Sequence, residues 1–167
     1  MRDEPDRQQT VALTIAGSDS GGGAGAQADL KTFAALGVHG TSVLTLVTAQ
    51  NTRGVDEVSI LPDGIVRQQY LSVVEDFSPS AAKTGALGNA RMIGTVLECL
   101  QDRPLENLVV DPVMVSKHGD PLMPEDARRR IRDDLLEHAV LVTPNPHETE
   151  MLADTQISGV NSMKDAA

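Results

Sequence analysis

Two polar side chains, Asp29 and Gln50, stand where the carboxyl ends of neighbouring strands are expected. The stretch 11–55 reads VALTIAGSDSGGGAGAQADLKTFAALGVHGTSVLTLVTAQNTRGV, which predicts a strand, a glycine-rich turn, a helix, a second strand and a polar loop that begins at Gln50. In open α/β sheets, ligands bind outside the carboxyl ends of the strands. A small-molecule site at this edge of the sheet is therefore the leading hypothesis.

The chemistry of these two side chains limits what they could bind. The Gln50 amide offers one acceptor and two donors, which suits the ring nitrogen and exocyclic amine of an aminopyrimidine; anchoring of the loop is the alternative. Asp29 shares a helical stripe with Phe33 and Leu36, and a carboxylate on an apolar side must be paired or hydrogen-bonded. A ligand contact and a salt bridge or cap to a neighbouring loop both meet that requirement.

The glycine-rich turn spans Gly17–Gly25 and reads GSDSGGGAG. It is not a P-loop, because no Gly-Lys-Ser/Thr follows it. It fits a loose dinucleotide-binding pattern, but that pattern expects an acid at the end of the second strand, which here ends in Ala-Gln-Asn,. The glycines therefore serve either a tight turn alone or a close approach of the backbone to a ligand.

Further polar residues follow later strands at the same predicted edge. Asp111 ends a short apolar strand, and Asn145 and Glu148 follow another. Magnesium prefers one or two carboxylates together with phosphate oxygens, so these residues could serve a metal-bound phosphate. An Asx-Pro turn explains Asp111 equally well, and a helix cap with a capping-box acid explains Asn145 and Glu148. Lys83 and Lys117 also stand near strand exits, where they could meet phosphate or form salt bridges,.

The elements that must position these residues alternate between strands and helices, which predicts an α/β fold with a mostly parallel sheet flanked by helices. Strands are predicted at 10–16, 40–49, 79–83, 108–111 and 139–143, and helices at 24–36, 63–74, 89–100, 124–138 and 147–153. Residues 1–9 are expected to be a flexible leader. Residues 160–167 look like the start of another helix, which indicates that 10–167 is a truncated domain,.

Composition excludes several classes of protein. The 167 residues, 40% of them apolar, suit one domain with a core, and the single cysteine, Cys99, permits neither an intrachain disulfide nor a paired-cysteine metal site,. No run of 18 apolar residues occurs and the N-terminus is polar, so neither a membrane span nor a signal peptide is predicted, and a cytoplasmic protein is expected,. The net charge of −10 argues against nucleic acid as a partner,.

Taken together, these motifs resemble one family, the hydroxymethylpyrimidine/phosphomethylpyrimidine kinases of thiamine biosynthesis. The similarity rests on the stretch 11–55 quoted above, on AAKTGALGN, on VVDPVMVSKHGDPLM and on VTPNPHETEML, and it covers nearly all of residues 10–165. The resemblance implies a ribokinase-like fold. It implies transfer of the γ-phosphoryl group of ATP to 4-amino-5-hydroxymethyl-2-methylpyrimidine, and a second transfer to the monophosphate.

The resemblance also implies roles for individual residues. The pyrimidine pocket would be lined by Gly17, Asp29, Gln50 and Val113. The Mg²⁺ and phosphate region would use Asp111, Asn145 and Glu148, with Asp111 and Glu148 as metal ligands, partly through water. ATP and Mg²⁺ would be the cofactors. Phosphoryl transfer depends mainly on positioning and charge neutralisation, which agrees with these roles.

Two departures from the family pattern stand out. Ala86 occupies a position where the family usually carries methionine, which would shorten one pocket wall. No Gly-Thr-Gly occurs in residues 1–167, so the family's anion hole and hydroxyl-activating residue are expected to lie beyond Ala167, and this N-terminal portion alone is expected to be inactive,. A pyridoxal-type vitamin kinase and a non-catalytic pyrimidine-binding module are the alternatives. Sheet edges left bare would favour a homodimer.

Overall fold

The computed structural model describes residues 9–114 and 123–166. Residues 1–8 of the predicted leader, Lys117 and Ala167 lie outside the described residues. Six strands form one sheet, and helices flank it. The strands are β1 (Val11–Asp19), β2 (His39–Asn51), β3 (Gly54–Ile60), β4 (Ala81–Thr84), β5 (Leu108–Val110) and β6 (Leu141–Val142). The helices are α1 (Gly25–Ala35), α2 (Asp63–Phe77), α3 (Ala90–Asp102), α4 (Glu125–Arg130), α5 (Pro146–Ala153) and α6 (Val160–Ala166).

The strand order is β3-β2-β1-β4-β5-β6, and every neighbouring pair is parallel except β2 and β3. The α/β class and the mostly parallel sheet are thus confirmed. The interpretation of the residues after Gln50 as a polar loop was wrong in extent, because the chain turns back at once and β3 pairs antiparallel with the end of β2. All seven residues of β3 are exposed, so it carries no alternation of buried and exposed positions.

The two faces of the central strands have different roles because successive side chains of a strand point to opposite faces. Leu13 and Ile15 of β1 are fully buried and join the hydrophobic core with residues of α2 and α3. Thr14, between them, faces α1, where its hydroxyl donates a hydrogen bond to Asp29. The core therefore lies on one face of the sheet, and the polar groups at α1 lie on the other.

The helix predicted at 124–138 is regular only over α4. It continues as a π-helical turn, Ile131–Leu135, and a 3₁₀ turn, Leu136–His138. Ile131 and Leu135, four residues apart, lie on one face of this segment and are both buried in the core,. The strand predicted at 139–143 is reduced to the two residues of β6.

Side chains of two helices secure the sheet and the helix ends. The Gln69 amide of α2 accepts a hydrogen bond from the Leu44 backbone N–H (3.0 Å) and donates one to the Leu44 carbonyl (3.1 Å). It thus pairs two backbone groups of β2 at a residue that lies ahead of the part of β2 that pairs with β3. Asn89 caps α3, because its side chain accepts a hydrogen bond from the Met92 N–H at 2.9 Å. Among the described residues, no helix is long and apolar enough to cross a membrane.

Candidate functional site

The glycine-rich turn is organised by a buried carboxylate, Asp19, which is 6% exposed at the end of β1. Its Oδ1 accepts a hydrogen bond from Gly21 N–H (2.8 Å), and its Oδ2 accepts from Gly23 (3.0 Å) and Ala24 (2.8 Å). The Gly22 N–H donates to the Asp19 backbone carbonyl at 2.9 Å. These amides point into the turn, so they do not form a phosphate cradle of the P-loop kind.

Gly17 lies at the base of this turn, where a side chain would not fit. A Cβ at Gly17 would stand 2.6 Å from Leu46 Cδ1, and one at Gly25, where φ is +58°, would collide with the Gly17 carbonyl oxygen. Ala86 lies beside the same point, with its Cβ 3.6 Å from where a Gly17 Cβ would be. Gly25 therefore lets the start of α1 approach the β1 backbone closely, whereas Gly17 leaves room for the Leu46 side chain. The short Ala86 side chain adjoins the predicted pocket residue Gly17.

Gln50 is held against the turn by its backbone rather than by its amide. Its N–H donates to Ser20 Oγ at 2.7 Å, and the Ser20 hydroxyl contacts the Gln50 carbonyl oxygen at the same distance. The side-chain oxygen has only a long contact of 3.4 Å with the Thr48 hydroxyl. Within the described residues the amide nitrogen forms no hydrogen bond, so the loop is anchored while the amide remains available to a ligand.

Asp29, on α1, lies in a polar cluster over the sheet. Its Oδ2 accepts a hydrogen bond from the Thr14 hydroxyl at 2.6 Å and stands 3.4 Å from Lys83 Nζ. The same ammonium is 3.1 Å from Asp111 Oδ2. The expected pairing of Asp29 is thus present, but the apolar stripe was the wrong description of its surroundings, because Leu36 is 74% exposed.

Strand register explains how residues far apart in sequence meet here. Thr14 of β1 pairs with Lys83 of β4, which pairs with Val109 of β5. Paired residues of adjacent strands share a face, and Asp111 follows two residues after Val109, so it returns to that face. The carboxyl ends of the parallel strands then bring Asp111 to the ammonium of Lys83.

Glu148 is buried, with 3% exposure, and both of its oxygens are engaged. Oε2 accepts a hydrogen bond from Asn145 N–H (2.9 Å), while the Asn145 side chain accepts from Glu148 N–H (3.0 Å), which is the predicted capping box. Oε1 accepts from the Met114 N–H at 3.1 Å. Glu148 therefore ties α5 to the segment after β5, directly beside the half-buried Val113.

The structure thus joins Asp29 to Asp111 through Lys83, and it places Gly17 at the start of the glycine-rich turn and Gln50 against Ser20 within it. Sequence reasoning missed Asp19, Ser20 and Thr14 as supporting residues. Asp19 carried a usable signal, since aspartate before glycines favours side-chain acceptance from amides a few residues ahead. Among residues 9–114 and 123–166, no three His, Cys, Asp or Glu side chains form a metal-binding group.

Comparison with known proteins places this arrangement in a family. The chain is 51% identical over 159 residues to the hydroxymethylpyrimidine/phosphomethylpyrimidine kinase of Streptomyces coelicolor, covering 94% of this chain and 58% of that protein. The match to a Bacillus subtilis protein of the same description is 46% over 156 residues and likewise covers 58% of it. This chain therefore spans a little under three fifths of the length of these curated relatives.

The catalytic groups implied by the resemblance are not among the residues described above. The anion hole and the hydroxyl-activating residue are expected beyond Ala167, which is the last residue of this sequence. That expectation concerns residues outside the 167 of this sequence, so it stays a prediction. The residues brought together above are accordingly candidates for binding substrate and phosphate, and none of them is assigned as the catalytic base.

Solved structures agree with the sequence comparison. A crystal structure of phosphomethylpyrimidine kinase from Clostridium difficile superposes with a TM-score of 0.91 at 44% identity, covering 95% of this chain and 68% of that one. The family model described as phosphomethylpyrimidine kinase matches residues 19–167. The fold is that of the ribokinase-like vitamin kinases, and this chain belongs to the phosphomethylpyrimidine kinase family.

Proposed function

We propose that this chain carries the pyrimidine-binding part of a kinase that uses ATP to phosphorylate 4-amino-5-hydroxymethyl-2-methylpyrimidine and then its monophosphate, in thiamine biosynthesis. The observation that carries the proposal is the edge-of-sheet site, in which an anchored but unengaged Gln50 amide lies at the same turn as Gly17. Two carboxylates, Asp29 and Asp111, meet there on one ammonium. Membership of the family supplies the reaction class.

In this proposal the pocket residues recognise the pyrimidine ring through hydrogen bonds and through close contact with small or apolar groups. The Gln50 amide exchanges hydrogen bonds with the ring nitrogen and exocyclic amine, which match its acceptor and donors. Asp29 presents its Oδ1 as an acceptor, since Oδ2 is taken by Thr14. Gly17 and Val113 offer small or apolar surfaces beside the ring, and the short Ala86 leaves room next to Gly17.

The phosphate region would be served by Asp111, Asn145 and Glu148. The Asp111 side chain is 30% exposed and fits Mg²⁺, which takes one or two carboxylates together with phosphate oxygens and water,. Both Glu148 oxygens already accept backbone hydrogen bonds, so a contact with Mg²⁺ through water fits this residue better than a direct one. Mg²⁺ would neutralise phosphate charge during transfer from ATP to the hydroxymethyl oxygen.

The test is calorimetric titration of the chain with the pyrimidine alcohol. We expect saturable binding, and we expect Gln50→Ala to weaken it about tenfold, because a lost amide contact in a half-buried site is worth about 1.5 kcal/mol. Gln68→Ala, at an exposed position of α2, is the matched control and should bind as the unchanged chain does. Equal binding by the Gln50 variant, or no saturable binding by the unchanged chain, would contradict the proposal.

A coupled kinase assay on the same sample tests the expectation that residues 1–167 alone are inactive. Transfer from ATP to the bound pyrimidine at an ordinary rate would contradict that expectation and would place the catalytic groups among the residues present. Binding without transfer agrees with a kinase whose anion hole and hydroxyl-activating residue lie beyond Ala167, and it agrees with a binding module as well, so the same assay on a chain that contains the Gly-Thr-Gly segment separates these two.

Pyridoxal phosphorylation is the second candidate function. The structure of a Staphylococcus aureus pyridoxal kinase in complex with pyridoxal superposes with a TM-score of 0.83 at 34% identity, covering 95% of this chain. Pyridoxal has no aminopyrimidine edge, so Gln50→Ala should weaken its binding much less. Competition between the two compounds in one titration ranks them, and tighter binding of pyridoxal would favour this second function.

We propose that the protein is a homodimer that associates through β3. This strand lies at one end of the sheet, and its Val55 and Val58 are 47% and 54% exposed. An unpaired strand edge with apolar side chains favours association with another copy. Light scattering should give twice the chain mass, and Val58→Lys should lower it toward the monomer; a monomer at high concentration would contradict the proposal.

A further inference from the structure

The Lys83 ammonium forms salt bridges with two carboxylates that come from different parts of the chain. Its Nζ stands 3.4 Å from the Asp29 carboxylate of α1 and 3.1 Å from the Asp111 carboxylate after β5. The side chains are 26% exposed for Lys83, 16% for Asp29 and 30% for Asp111. Charges this close and this poorly hydrated interact more strongly than charges on an open surface.

Gly85 provides the space that the ammonium occupies. Residues i and i+2 of an extended segment share a face, so Gly85 lies beside Lys83 on the side that faces α1. A Cβ at Gly85 would be 3.2 Å from Lys83 Nζ and 2.9 Å from Ala16 Cβ. The Lys-x-Gly spacing therefore lets the lysine side chain lie over Gly85, along the carboxyl end of its own strand, where it reaches both carboxylates.

Without this cation, two carboxylates would face each other in a part-buried site. Of the described residues, the Thr14 hydroxyl alone would then hold Asp29, which would be repelled by Asp111,. Asp29 can offer a fixed acceptor to a ligand only while that repulsion is screened. Lys83 thus controls the orientation of a pocket residue through charge.

We propose that Lys83 is a positioning residue of the pyrimidine pocket, which holds Asp29 in place by screening it from Asp111. This inference rests on the proposed function, because Asp29 is taken to contact the pyrimidine. Contact between Lys83 and substrate phosphate is the competing role. The two carboxylates flank the ammonium closely, which favours positioning over that contact.

The experiment compares Lys83→Met, Lys83→Arg and the double variant Lys83→Met/Asp111→Asn, with Lys164→Met as the exposed-lysine control. Calorimetry measures binding of the pyrimidine alcohol and of its monophosphate to each full chain. We expect Lys83→Met to weaken binding of the pyrimidine alcohol by about tenfold and binding of the monophosphate at least as much, because the two carboxylates are then left without their shared cation. Lys83→Arg should stay within threefold of the unchanged chain, because the charge is retained. Lys164→Met should have no effect.

The double variant separates screening from direct contact. If Lys83 acts by screening, neutralising Asp111 removes the repulsion, and the double variant recovers most of the alcohol affinity lost in Lys83→Met. If Lys83 contacts the ligand, the double variant binds no better. A loss confined to the monophosphate, or no recovery in the double variant, would overturn the inference.

Urea unfolding keeps the inference testable where binding cannot be measured. Screening predicts a higher unfolding midpoint for the double variant than for Lys83→Met, because only the single variant retains the two facing acids. If the unchanged chain binds neither pyrimidine, the proposed function fails, and the order of these two midpoints still decides whether Lys83 screens Asp29 from Asp111. Equal midpoints would overturn the screening.

Discussion

Replacement of Asp19 should lower the stability of the chain, and the loss should depend on how many of the turn's hydrogen bonds the new side chain can still accept. Asp19→Ala removes the acceptors of three backbone N–H groups, those of Gly21, Gly23 and Ala24. A hydrogen bond to a charged group contributes about 1.5–3 kcal/mol, but the turn is partly exposed, so water replaces part of what is lost. We therefore expect the free energy of unfolding to fall by about 3 kcal/mol.

Asp19→Asn should cost less, about 1–1.5 kcal/mol. Its amide oxygen can take the place of Oδ2, which accepts two of the bonds, while its NH₂ group then faces the Gly21 N–H, donor against donor. Asp19→Asn also keeps the size of the side chain, so comparing it with the unchanged chain measures the loss of hydrogen-bond acceptors without a loss of packing.

Urea unfolding of the two variants beside the unchanged chain measures both costs. Asp56→Ala, in the exposed strand β3, is the control and should stay within about 0.5 kcal/mol of the unchanged chain. The reasoning is refuted if Asp19→Ala is as stable as that control, or if Asp19→Asn is the less stable of the two Asp19 variants.

Three further predictions test the fold. Ser78 ends α2 with φ of +47°, so Ser78→Gly should raise the free energy of unfolding by about 0.5–1 kcal/mol, whereas Ser72→Gly within α2 should lower it by a similar amount. Gln69→Ala leaves two β2 backbone groups without partners and should cost about 2 kcal/mol by urea unfolding, with Gln68→Ala neutral,. Burial raises the pKa of the buried Cys99 thiol, so thiol reagents at pH 8 should react slowly with the native chain and fast in urea; rapid native reaction would contradict its placement.

Sequence alone predicted which ends of the strands carry the candidate site, because apolar runs interrupted by glycine and polar residues mark strand exits. It did not predict that Asp29 and Asp111 share Lys83. That pairing depends on the register of β1 against β4 and of β4 against β5. Register is set by packing of the whole sheet, and nothing in the local pattern near Lys83 encodes it.

The fold was predicted best where burial requires apolar side chains. β1 is a nearly continuous buried run and α3 buries eight of its thirteen residues, and both elements were found. β3 was missed because every residue in it is exposed, so its sequence shows no alternation of buried and exposed positions. Pairing with the end of β2, rather than a core contact, creates this strand, and the pattern of a single segment cannot reveal a partner,.

The charges at the sheet edge bear on the proposed need for Mg²⁺. The chain has a net charge of −10, and the site places two carboxylates against one ammonium that is already committed to both. The cluster of Asp29, Lys83 and Asp111 therefore carries one net negative charge, which suits a neutral pyrimidine but opposes a phosphate group. A phosphoryl group could approach Asp111 only if further positive charge came with it, and a divalent cation shared between this carboxylate and the phosphate oxygens supplies that charge. The same balance implies that Lys83 should remain with Asp29 when phosphate arrives, because releasing it would leave the pocket carboxylate unscreened.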